Sequence, residues 1–126
     1  MSCHSSSARD VPTETAAYHV HILDNPLFNA GKGAVFNIAG KHELEASMAV
    51  SRPPSGSNIP SNRKGVGVTL LKTVKHPIVL AKELYLDPVA CPHAFVSGED
   101  AERIAKERGL DLVDEHYFDT KYVASC

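Results

Sequence analysis

The sequence predicts an α+β domain of two or three strands against two or three helices, and three features carry that prediction. Residues 43–50, Glu-Leu-Glu-Ala-Ser-Met-Ala-Val, alternate polar and apolar positions with the period of a half-buried strand. Residues 65–71, Gly-Val-Gly-Val-Thr-Leu-Leu, form a β-branched apolar run of strand length. His76-Pro77 and Ser97-Gly98-Glu99-Asp100 each precede a segment whose apolar residues recur at helical spacing.

Taken in order, residues 1–12 are polar and unpatterned and are expected to form a disordered tail, with the domain spanning 13–126. Thr13 is placed to cap a helix from Glu14 to about Leu23, with Ala16, Ala17, Val20 and Leu23 along one side. His19 and His21 diverge on such a helix and read as surface or packing residues. Asp24 to Phe36 is the densest turn signal in the chain. Pro26 removes an N–H and pushes Asn25 out of the helical region, and Gly31 and Gly33 tolerate positive φ. This is a tightly folded loop delivering the chain into a strand at Ala34–Asn37. A turn at Ile38-Ala39-Gly40-Lys41 then predicts a hairpin with residues 43–50. Leu44, Ala46, Met48 and Val50 face inward, and Glu43 and Glu45 lie on the solvated face rather than forming an acid–base pair.

Ser51 to Lys64 is rich in Pro, Ser, Gly and Asn and predicts an unstructured connection, an insertion or a mobile lid. The glycines of the 65–71 strand allow a neighbouring backbone to approach. They do not make a phosphate loop, because no third Gly or Gly-Lys-Ser follows. After His76-Pro77, Ile78, Ala81, Leu84 and Tyr85 form an apolar stripe that ends at Leu86-Asp87-Pro88. Cys91 to Val96 reads as a short strand. Cys91 and His93 share a side of it, but no third group orients them as nucleophile and base, so they read as structural. A second helix follows from Glu99 to Arg108, with Ala101, Ile104 and Ala105 inward and Gly109 closing it.

Composition narrows the class. A chain of 126 residues makes one small domain able to bury about two-thirds of its unfolded surface. Thirteen Lys and Arg are balanced by fifteen Asp and Glu and spread along the chain, so no nucleic-acid partner is implied. No apolar run is long enough to span a bilayer, so no membrane role is implied. Cys3, Cys91 and Cys126 form no C-x-x-C pair and no disulfide framework, and residues 1–7 lack the apolar core of a secretory signal. The expected location is cytoplasmic.

The run Leu23-Asp24-Asn25-Pro26-Leu27-Phe28-Asn29-Ala30-Gly31-Lys32-Gly33-Ala34-Val35 resembles the signature loop of the plant-type asparaginases, whose pattern is close to L-E-x-x-P-x-F-N-A-G-x-G-[AS]-V. These N-terminal-nucleophile hydrolases include isoaspartyl peptidases, glycosylasparaginases and threonine aspartases. Further along, Glu43 to Val50 stands where the family reads E-x-D-A-S-I-M-D-G. The Ala-Ser pair is kept, Glu45 replaces Asp, and the closing Asp-Gly is absent. Ser51-Arg52-Pro53-Pro54 is similar to an insertion in fungal members. Gly65-Val66-Gly67-Val68 occupies the place of A-G-A-V, His76-Pro77 that of Asn-Pro, and Pro92-His93 matches a P-H pair. The resemblance runs from about Thr15 to Tyr122.

The resemblance implies part of the α-subunit layers of an αββα sandwich. It implies that the main-chain carbonyls of Ile22, Leu23, Asn25, Phe28, Ala30 and Lys32 wrap a structural sodium or potassium ion. It places Asn29 as a pocket-supporting residue beside the nucleophile. In such enzymes an internal Gly–Thr bond is cleaved autocatalytically, and the freed Thr attacks with its own α-amine as base. Here Thr13, Thr15, Thr69, Thr73 and Thr120 all follow residues other than Gly, so no catalytic residue is expected within this chain. The expectation is a fragment, inactive alone, of a Thr-nucleophile amidohydrolase acting on asparagine, β-aspartyl peptides or a protein site. Its partner would be the missing β part or a full-length family member, and loss of the β part would bare an apolar sheet face. The alternatives are a non-catalytic remnant that binds a cation or pairs with a family member, and a generic αβ binding domain.

Overall fold

The alternating run and the β-branched run become paired strands in the structure, a computed structural model in which residues 31–121 are described. Strand β1 (Leu44–Ala49) pairs antiparallel with β2 (Gly65–Leu71), and β3 (Phe95–Ser97) adds parallel to β2, giving the order β1-β2-β3. A parallel neighbour needs a crossover, and helix α1 (Pro77–Leu86) supplies it. Helix α2 (Gly98–Glu107) follows β3 directly. Two 3₁₀ turns, Gly31–Gly33 and Glu115–Phe118, flank the sheet in sequence and touch each other.

Period-two alternation puts Leu44 and Met48 of β1 and Val66 and Val68 of β2 on one face, where both helices lie. Ile78, Leu80, Ala81, Leu84 and Tyr85 of α1, Ala101 and Ala105 of α2, and Phe118 close the core over them. In β2 the alternation breaks once. Leu44 pairs with Leu71 but Ala46 pairs with Val68, so β2 carries one extra residue. Leu70 absorbs it at φ +56 and points outward, 47% exposed, and Leu71 returns to the core, fully buried.

The expected strand at Ala34–Asn37 does not form. The Asn37 carboxamide accepts the N–H groups of Ala39 and Lys41 at 2.9 and 3.0 Å. Its main chain closes the same turn, donating to the Lys41 carbonyl at 2.7 Å and accepting from Gly40 at 2.9 Å. A side chain that satisfies its own backbone outcompetes a short ladder. The expected hairpin through residues 38–41 is therefore replaced by pairing of β1 with the longer β2.

Both helices lie close to where the pattern puts them, though their ends are held differently. Pro77 opens α1, where the missing N–H costs nothing, and His76 makes no side-chain cap. Ser97 is extended at the start of α2, and its hydroxyl makes no cap hydrogen bond, so the Ser97-Gly98-Glu99-Asp100 run does not close as a capping box. Glu99 and Asp100 in the first turn and Lys106 in the last complement the helix dipole instead. The far end is closed by backbone bonds. Gly109, at φ +69, donates to Lys106 and Leu110 donates to Ala105, the paired bonds that close a helix through a left-handed residue.

Residues 51–64 form turns without helix or strand, and they are tied down. Val50 donates to the Lys64 carbonyl at 2.8 Å, and Lys64 Nζ donates to that of Ser51 at 2.8 Å. Ile59 is buried in the core, and Arg63 reaches α1.

The sheet face opposite the helices carries Glu45, Ser47 and Ala49 of β1, Gly67 and Thr69 of β2, and Phe95 of β3. Apart from Phe95, 63% exposed, and the outward-pointing Leu70, 47% exposed, it is built of small and polar residues, so the large apolar face expected from the resemblance is not what the described residues present. The Phe95 ring lies directly on Gly67, where a Cβ would meet it at 2.7 Å. Among the described residues no helix is long and apolar enough to cross a membrane.

Candidate functional site

Of the six carbonyls expected to wrap a cation, only that of Lys32 belongs to the described residues. Ile22, Leu23, Asn25, Phe28, Ala30, Asn29 and the pair His19 and His21 lie outside them. Lys32 sits in the 3₁₀ turn between Gly31 and Gly33, both buried, and the Ala34 N–H donates to the Gly31 carbonyl at 3.0 Å. The turn is held by the C-terminal 3₁₀ turn. Lys32 Nζ lies 4.3 Å from the centre of the Tyr117 ring, and Lys75 Nζ 5.5 Å from it. The loop that resembles the signature motif is thus anchored at its end by residues more than 80 positions later.

Beside that contact lies a cluster that sequence reasoning missed. His42 is buried, with its ring 4.4 Å from that of Phe36 and 6.0 Å from that of Phe118. Its Nε2 lies 3.0 Å from Asp119 Oδ1, while Asp119 Oδ2 lies 3.1 Å from His116 Nδ1. The hydrogen bond to Asp119 and the charges of Asp119, Asp114 and Glu115 push the exposed His116 up from its ordinary value. The same bond from His116, with help from His42, holds the Asp119 carboxyl below the usual range. His42 had a legible signal: it lies two residues before Leu44, on the inward parity of β1. Among the described residues no three His, Cys, Asp or Glu side chains are arranged to hold a metal ion.

The other sequence candidates are structural or solvated. Glu43 and Glu45 are exposed, and the Thr69 hydroxyl donates to Glu45 at 3.4 Å. Cys91 is buried, with Sγ 3.6 Å from the carbonyl of His93 rather than from its ring. The Thr73 hydroxyl donates to Glu102 Oε2 at 2.7 Å, and the N–H groups of Lys72 and Thr73 donate to Oε1 at 2.5 and 2.8 Å. Burial opposes the charge on Glu102, but these hydrogen bonds outweigh it and hold the carboxyl below its ordinary value. Tyr85 is fully buried, with no partner for its hydroxyl among the described residues. Burial raises it, and the nearby Arg63 guanidinium opposes the rise.

The asparaginase family model matches residues 10–125. Over 115 residues, 90% of this chain, the sequence is 37% identical to the isoaspartyl peptidase of Salmonella typhimurium and 36% identical to that of Escherichia coli. It is 34% identical over 96 residues, 76% of the chain, to a probable isoaspartyl peptidase/L-asparaginase of Arabidopsis thaliana. These matches cover 32%, 31% and 26% of the relatives, so the chain spans about a quarter to a third of their length. The signature loop, the paired strands and the two helices in their expected order all fall inside the matched span, and the chain belongs to the asparaginase family.

Proposed function

We propose that these residues are the α-side part of a Thr-nucleophile amidohydrolase that cleaves the amide of L-asparagine or of β-aspartyl peptides. The observation that carries this is the family match from residue 10 to residue 125, in a sequence where no threonine follows a glycine. The substrate class rests on the relatives, which are isoaspartyl peptidases and isoaspartyl peptidase/L-asparaginases. The three strands and two helices supply one sheet with its helical cover, and the remainder of an αββα sandwich would stack on the open face around Phe95. The nucleophile, with its amine as base, would come from that remainder. Within this chain Asn29 would support the nucleophile's pocket.

The signature loop would hold a sodium or potassium ion through the carbonyls of Ile22, Leu23, Asn25, Phe28, Ala30 and Lys32. The chemistry suits such an ion, because hard monovalent cations take neutral oxygen ligands and a loop fixed by Pro and Gly can converge several carbonyls. The described end of the loop fits that role: its 3₁₀ turn has buried glycines and is clamped against Tyr117. The ion would be structural.

An assay of the purified 126-residue chain with L-asparagine and with a β-aspartyl dipeptide tests the reading. No ammonia or aspartate should be released. Release that is lost on Asn29→Ala would overturn the assignment of the nucleophile to another part of the protein. The second reading, a non-catalytic domain that pairs with a family member, is favoured by the open sheet face. It predicts a stable complex with a complete relative.

A further inference from the structure

Two histidines from distant parts of the chain meet at Asp119. His42 comes from the approach to β1, with a side chain only 3% exposed, whereas His116 belongs to the C-terminal 3₁₀ turn and its side chain is 87% exposed. Each ring takes one carboxylate oxygen, His42 through Nε2 and His116 through Nδ1. The two rings are not equivalent. His42 Nδ1 is buried with no partner among the described residues, so a hydrogen there would have no acceptor among them, and the tautomer that satisfies both groups carries it on Nε2. His116 faces water and can exchange a proton freely.

We propose that His42, Asp119 and His116 form a one-proton latch, in which His42 orients the carboxylate from below and His116 takes up from solvent the proton that tightens the hold of the C-terminal 3₁₀ turn on the approach to β1. The latch sits where the turn also buries Phe118 against the core and places Tyr117 between Lys32 and Lys75. Its setting thereby reaches the end of the signature loop. The other charged groups facing it among the described residues are Asp114 and Glu115 on the same turn, Lys41 paired with Glu115 at 3.5 Å, and Lys32 and Lys75 over Tyr117. Asp114 and Glu115 favour a proton on His116, and its bond to Asp119 is the nearest and strongest influence.

The sign follows from His116. Its folded-state value is raised, so the added stability is fully present below the ordinary histidine value and is lost as pH rises through the folded value. The test is histidine NMR on the full 126-residue chain, with Tm measured from pH 5 to pH 9, for the wild type, His116→Asn and Asp119→Asn. The expected result is a His116 titration displaced upward in the wild type and returned towards the ordinary value in D119N, with His42 hydrogen-bearing on Nε2. The wild type should gain about 1–3 °C over H116N on going from pH 8.5 to pH 6. H116N alters an exposed ring, so it retains the fold even if D119N does not. Equal pH dependence in wild type and H116N would overturn the latch, as would a His42 that carries its hydrogen on Nδ1.

Discussion

Glu102 holds the turn after β2 together by accepting two backbone N–H groups and a hydroxyl on one carboxylate. Its folded-state value is depressed, so its contribution is fully present above the ordinary glutamate value of about 4.3 and is lost as pH falls through the lower folded value. Glu102→Gln should cost about 1–3 kcal/mol in urea denaturation at pH 7 and should flatten the acid limb of the stability profile. An unchanged midpoint would show that the carboxylate is dispensable. Leu70 is the other singular residue, held at φ +56 where a side chain costs about 1–2 kcal/mol. Leu70→Gly should be neutral or stabilising by up to about 1 kcal/mol, whereas Leu70→Ile should destabilise by about 1–2 kcal/mol despite its higher strand propensity. Neither residue was legible in the sequence. The partners of Glu102 are two backbone N–H groups and one hydroxyl 29 and 30 positions away, which no local pattern reports, and Leu70 looks like any apolar residue of a continuous run.

Helix α1 ends in carbonyls that need donors, and Arg63 supplies them from the preceding loop. Its Nη2 donates to Leu84 at 2.7 Å, its Nε to Tyr85 at 3.2 Å, and Nη1 reaches the Pro92 carbonyl at 3.5 Å. A cation at a helix C-terminus is also favoured by the dipole. Arg63→Ala should cost about 1–3 kcal/mol, with faster amide exchange at the end of α1 and in residues 51–64. Arg63→Lys should recover only part of it, because an ammonium cannot match the planar fork. A second tie joins the helices: Arg108 Nη2 lies 2.7 Å from Asp87 Oδ2, and the Ala90 N–H, then Arg108, hold that carboxyl below its usual range. At this scale the sequence was readable wherever apolar spacing decides. β1, β2, α1 and α2 all lie within a residue or two of their expected spans. The hairpin at residues 34–50 was misread because Asn37 folds its own turn, and residues 51–64, open to reading as a mobile lid, are pinned by Ile59 and Arg63.

At the scale of the molecule, the described residues make one sheet with helices on one side and leave a second side, carrying Phe95, uncovered among themselves. That face is built mostly from Glu45, Ser47, Gly67 and Thr69, with Phe95 and the outward-pointing Leu70 as its large apolar groups. Gly67 in the 65–71 run, readable as a site of close approach, is what lets the Phe95 ring lie against the sheet. The family was legible from the signature loop and is shown by the match over residues 10–125. The proposed cation site makes a prediction for the intact fold: sodium or potassium chloride should raise Tm relative to choline chloride at equal ionic strength. Saturation to a hundred times Kd is worth about 2.7 kcal/mol. Indifference to both ions would remove the cation from the account.

The central proposal is that the Thr nucleophile of the enzyme lies outside these 126 residues, and the most direct measurement is the full-length transcript, read past the codon for Cys126. The account predicts that the frame continues to a Gly–Thr pair in the part that completes the sandwich. A stop codon immediately after Cys126 would contradict it, and the role of the chain would then lie in pairing through the open sheet face.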